Sequence, residues 1–175
     1  MDNKGQAYSA FQLLIAAIVA IAILGILISI IIIVVPPGND LPTVAKQMIE
    51  KQKENRGAIS TSGKVKFMAG SSLAPTALVE GTGLSPDQVC IHKGDLVNDA
   101  ALKMQGSVLV NSSNNDREAK VSVICNGANS LLASINELEL FQGDIEFDGE
   151  KGKCNCPIDN EAATQLCCAV MLKYS

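Results

Sequence analysis

The sequence predicts an α+β protein in which a long N-terminal hydrophobic helix is followed by a small β-rich globular head stapled by disulfides. Three observations predict it. No Asp, Glu, Lys or Arg stands between Gly5 and Asn39, and from Phe11 to Val35 the only strongly polar side chains are Gln12 and Ser29. All six cysteines lie beyond that run. From Ser60 onwards, short Val-rich stretches alternate with clusters of Gly, Asn, Asp and Ser, the pattern of half-buried strands joined by turns.

The apolar run exceeds the roughly 7–15 residues of a secretory signal core and passes the ~20 residues that a bilayer-spanning helix needs. As one helix over 6–35 it would extend about 45 Å. It carries no hydrophilic stripe, so the environment it calls for is lipid or other protein all round. Its first half contains Ala16, Ala17, Ala20, Ala22 and Gly25, small residues that let apolar helices approach closely. Its second half, "ISIIIIVV", is bulky and β-branched. Lys4 precedes it, and a positive charge on that side predicts a cytoplasmic N-terminus with everything after Pro37 outside.

The residues leading into the run, "NKGQAYSAFQLLI", combine a short charged leader with Gly5-Gln6 directly ahead of the apolar core. This resembles the class III signal of archaeal type IV pilins, over about the first 35 residues. The resemblance implies cleavage by a prepilin peptidase between Gly5 and Gln6, so that residues 1–5 are leader and the hydrophobic segment stays with the subunit. It further implies a membrane-held precursor that is passed by an assembly machinery into an extracellular filament of copies of itself. Such a filament serves adhesion or surface attachment. Where that family commonly has Glu at the fifth mature position, this chain has Ala10, which leaves helix packing rather than charge pairing to set the assembly.

Residues 36–58 read as a Pro-kinked linker and an amphipathic helix. Pro36-Pro37 cannot continue a helix without loss of backbone hydrogen bonds. Asp40 is a good N-cap with Pro42 in the first turn, and Leu41, Val44, Ala45, Met48 and Ile49 recur on one face. Arg56-Gly57 is the expected stop. Within the head, 59–175, strands are expected at 64–68, 88–92, 107–110, 120–125, 144–147 and 168–174, with a short helix over 128–138.

Six cysteines in one small exported domain read as a disulfide framework: Cys90, Cys125, Cys154, Cys156, Cys167 and Cys168. The vicinal Cys167-Cys168 and the close Cys154 and Cys156 each predict partners elsewhere, and the simplest arrangement links Cys90 to Cys125 and ties "CNC" to "CC" by two bonds. The competing reading takes the last four as a thiolate metal site, although their spacing is unlike paired C-x-x-C knuckles. Asn111-Ser112-Ser113 forms an N-x-S acceptor, predicting glycosylation at Asn111.

Little points to catalysis or a cofactor. His92 is the one histidine and sits within an expected strand. Asp144, Glu146, Asp148 and Glu150 alternate near a turn without the ligand pattern of a calcium loop. "GTG" at 81–83 and "GEKGK" at 149–153 read as turns. Net charge −4 and a pI of about 5.0 offer no basic patch for nucleic acid. The expectation is a non-enzymatic filament subunit, against which stand a monomeric membrane-anchored binding domain and a membrane-tethered redox or metal protein.

Overall fold

The computed structural model describes residues 15–24, 40–139, 141, 144–158 and 164–174. The chain divides into two compact units, Met1–Pro37 and Gly38–Ser175. In the first, residues 15–24 form a helix, α1. This corrects the expected 30-residue helix over 6–35: among the described residues no helix is long and apolar enough to cross a membrane. α1 occupies the Ala-rich part of the run, where helix propensity is highest. The stretch "ISIIIIVV" lies outside the described residues, as do Gly25 and the Gly5-Gln6 junction.

The second unit opens with α2 (Leu41–Gln52). The carboxylate of Asp40 accepts from the Thr43 backbone N–H at 3.3 Å and from the Thr43 hydroxyl at 2.8 Å, satisfying donors that the first turn leaves unpaired. Leu41, Ala45, Met48 and Ile49 are buried along one face, and Gln52 joins them. The helix stops at Gln52, ahead of the expected Arg56-Gly57. Gly57, at φ +78°, then turns the chain into the sheet, its N–H bonded to the Cys125 carbonyl.

Two sheets follow. The larger has the order β1 (Ile59–Thr61), β7 (Arg117–Gly127), β9 (Leu166–Tyr174), β4 (Val89–His92), β8 (Gly152–Lys153), with β2 (Val65–Phe67) also paired to β7. The smaller has the order β3 (Ser72–Leu73), β6 (Val108–Asn111), β5 (Leu102–Gln105). Two further α-helices among the described residues are α3 (Pro75–Val79) and α4 (Ala128–Glu137). β7 and β9 run antiparallel from Ala119↔Tyr174 to Gly127↔Leu166, whereas β4 lies parallel to β9.

Alternation along β9 places Cys168, Val170 and Leu172 in one apolar cluster with α2, α3 and the inward residues of the smaller sheet. Cys167, Ala169 and Met171 fall in a second cluster with Ala128, Leu131 and Ile135 of α4 and with Ile145 and Ile158. The sheet is therefore covered on both faces, which is why "LCCAVML" reads as a continuous apolar stretch.

The expected stretch 144–147, "DIEF", is not a strand among the described residues. Its alternation is used differently: Ile145 is buried and Phe147 packs against the second cluster, while the Ile145 N–H donates to the Asn136 side chain at 2.9 Å. The very short β1, β3, β5, β8 and α3 lie outside the expected strands, whereas β2, β4 and β6, of similar length, stand within the Val-rich stretches.

Gly94 sits at φ +57° in the turn after β4, and a Cβ there would fall on the carbonyl of Leu172 in β9. Gly94→Ala combines left-handed strain with a backbone collision. A loss of about 3 kcal/mol or more is expected, read as a lower urea midpoint with disulfides intact.

Candidate functional site

The cysteines follow from strand geometry. Successive side chains of a strand point to opposite faces, so neighbouring Cys167 and Cys168 are directed apart. Cys168 bonds Cys125, its register partner on β7, on one face. Cys167 bonds Cys156 on the other. The third bond joins Cys90 of β4 to Cys154, just beyond β8. All six cysteines are thus in disulfides, leaving no thiolate for a metal. Among the described residues no group of three or more His, Cys, Asp or Glu is placed to hold one.

The expected Cys90–Cys125 link is corrected, and one of the two "CNC"-to-"CC" bonds with it. β9 lies between β4 and β7. Two strand spacings of about 4.8 Å separate the outer strands, beyond the reach of a disulfide. Inserting β9 supplies Cys125 with a nearer partner and leaves Cys90 for Cys154.

Beside the two bonds of the second face lies a cleft of about 290 Å³, lined by Leu132, Glu146, Phe147, Asp148, Cys154, Cys156 and Ile158. Lys151 stands 3.9 Å from Glu146 and 3.7 Å from Asp148. Asp148 also accepts from the backbone N–H groups of Lys151 and Glu150, the former chiefly holding its carboxyl below the ordinary range. The acidic run is thereby a structured turn at the head surface.

His92 is 2 % exposed. Its Nδ1 accepts from the Gly94 N–H at 2.8 Å, which places the proton of the neutral ring on Nε2. Phe147 meets the ring edge-on at 5.5 Å between centroids. Burial is the main cause that lowers its pKa from 6.5 to about 4, with Lys151 and Lys93 acting in the same direction and the Glu146 backbone and Asp148 opposing. A neighbouring cavity of about 170 Å³ is bordered by His92, Asp95, Asn98, Phe141, Asp144 and Lys151.

Asn111 is fully buried, which corrects the glycosylation expectation. Its Nδ2 donates to the carbonyls of Phe67, Met68 and Asn115 at 2.9, 3.1 and 3.2 Å. Its Oδ1 accepts from the Ser113 N–H and hydroxyl at 3.1 and 2.7 Å. The spacing that makes a sequon also makes an Asx turn, and here the amide is spent on joining β2 to the end of β6. A glycan on Nδ2 has no room in the folded head. The signal was present in "NSSNND", where Asn ends a strand and heads a polar turn.

Ala16, Ala17, Ala20 and Ala22 lie on α1, where every described residue is exposed and Ile18, Ile21 and Leu24 are 59, 70 and 57 % exposed. "GTG" 81–83 is a turn with Gly81 and Gly83 at positive φ. Comparison with protein families, with characterised proteins and with solved structures finds no match to this chain.

Two outcomes are expected of these side chains. Because His92 is held neutral when folded while the unfolded ring takes a proton near pH 6.5, stability falls as pH drops from 6.5 to about 4, by about 3 kcal/mol in total, and then levels off. His92→Asn, which keeps an acceptor for Gly94, should lose that portion of the pH dependence in urea titrations at pH 7 and pH 4. Asn111→Ala leaves three carbonyls short of a donor and should cost about 2–3 kcal/mol, while peptide mapping of native protein should show Asn111 unmodified.

Proposed function

We propose that this chain is a structural subunit of an extracellular type IV pilus-like filament, assembled through its N-terminal apolar segment and serving adhesion or surface attachment. The observation that carries the reading is Gly5-Gln6 placed directly between a short charged leader and an uncharged run that extends to Asn39. The prepilin peptidase recognises that junction and the segment remains on the subunit. Before assembly the segment holds the precursor in the membrane, N-terminus inside and head outside. Afterwards it packs against copies of itself.

Two features support this. The large side chains of α1 are exposed around the helix, and an apolar surface of that kind calls for cover by lipid or protein. The three disulfides suit an oxidising, extracellular compartment. Ala10, in place of an acidic residue, favours a second reading in which the head is a monomeric membrane-anchored binding domain.

Filament preparations separate the two. Mass spectrometry of sheared surface filaments should find this protein, beginning at Gln6. Ala17→Leu and Ala20→Leu should leave the subunit level in the membrane unchanged, because Leu is favourable in lipid. Filament yield should fall, since excess bulk in a packed interface costs about 1–3 kcal/mol per site in every subunit. Well-expressed cells with no filaments, or filaments whose subunits retain Met1, would decide against the reading.

A further inference from the structure

The three disulfides differ in how they meet solvent. Cys125 and Cys168 are both 0 % exposed and lie within the larger apolar cluster. On the opposite face Cys90 and Cys167 are 0 % and Cys156 4 % exposed, whereas Cys154 is the one cysteine of intermediate exposure. Cys154 and Cys156 are also the two that line the cleft with Leu132, Phe147 and Ile158. A cleft of about 290 Å³ holds a molecule of several heavy atoms, given that a water takes about 30 Å³.

We infer that this cleft is a thiol–disulfide exchange site at which a small external dithiol opens the head in a fixed order, Cys90–Cys154 first, Cys156–Cys167 second, with Cys125–Cys168 kept closed. The inference stands whether or not the chain polymerises. A thiolate of the dithiol attacks Cys154 Sγ, forming one S–S bond as the bond to Cys90 breaks, and Cys90 leaves as thiolate and takes a proton from solvent. The second thiol then attacks the sulfur of its own molecule, closing a cyclic disulfide and releasing Cys154 as thiolate. The dithiol loses two electrons and the protein gains two.

Opening has a local meaning in this fold. Residues 144–158 reach the larger sheet covalently through Cys154 and Cys156, and otherwise through β8, which pairs with β4 at Gly152 and Lys153, through the Lys93 N–H to the Lys151 carbonyl, and through Ile145, Phe147 and Ile158 in the second apolar cluster. Loss of the first bond leaves the segment joined by the short pairing and by Cys156–Cys167. Loss of the second leaves the segment held by non-covalent contacts alone, the β8–β4 pairing and the packing of Ile145, Phe147 and Ile158. The pairing of β7 with β9, bridged by Cys125–Cys168, is untouched by either step.

The test is limited reduction of the full chain in detergent with dithiothreitol at pH 8. Samples are quenched in acid, free thiols are tagged, the remainder is reduced and given a second tag, and peptides are mapped by mass. Tags should appear on Cys90 and Cys154 first and on Cys156 and Cys167 next, with Cys125 and Cys168 reached only in denaturant. Leu132→Trp, which fills the cleft wall, should slow the first step about 5–10-fold and leave the denaturant requirement of Cys125–Cys168 unchanged, which also reports that the variant is folded. Opening of Cys125–Cys168 first, simultaneous opening of all three, resistance of all three until denaturation, or a first step indifferent to Leu132→Trp in a folded variant would each overturn the inference.

Discussion

Everything in the head refers to the position of β9 between β7 and β4. A strand buried on both faces must satisfy its whole backbone with neighbours, because no water reaches it, and β9 does so with an antiparallel partner on one side and a parallel one on the other. Its side chains then serve as the floor of two cores at once. The vicinal cysteines are the local expression of that constraint: adjacent along the chain, they act on opposite sides of the sheet. Each core is bonded covalently to the same strand.

Within this frame the polar side chains are structural fixtures as much as surface. Asn111 spends its full amide on backbone groups of a strand end and a turn, and Asp40 and Asp148 complete backbone donors where a helix and a turn begin. His92 is kept uncharged by burial and by the Gly94 N–H at Nδ1. Burial outweighs the pull of the Glu146 backbone, which favours the protonated ring. A chain of this size reaches stability as a small difference of large terms, so three cross-links matter to it more than to a larger domain.

How much of this was legible in the sequence depends on the range over which each feature is specified. α2 and α4 declared themselves, because 12 and 10 residues hold enough turns for a helical stripe and because Asp40 with Pro42 marks a start. The long strands β7 and β9 are visible as Val-rich and apolar runs, and the end of β9 at Tyr174 with them, although both ends of β7 and the start of β9 are not. Strand order was not legible, and the disulfide pairing went wrong for that reason: Cys90 and Cys125 look like partners only until β9 is inserted between them. The sequon at Asn111 failed for the opposite reason. The same three letters encode a turn, and burial rather than spacing decides which. The apolar N-terminal run is plain by composition, and among the described residues α1 covers its alanine-rich part.

The place of β9 in the chain has a consequence for how the head is made. It is the last described strand to leave the ribosome, and until it arrives β4 and β7 have no ladder through which to meet. Of the cysteines in this sequence, Cys90 and Cys125 are made before Cys154, and oxidation at that stage joins them to each other. That bond is absent from the finished head. The native connectivity therefore requires either that oxidation wait for β9 or that an early Cys90–Cys125 bond be exchanged once Cys154, Cys167 and Cys168 are present.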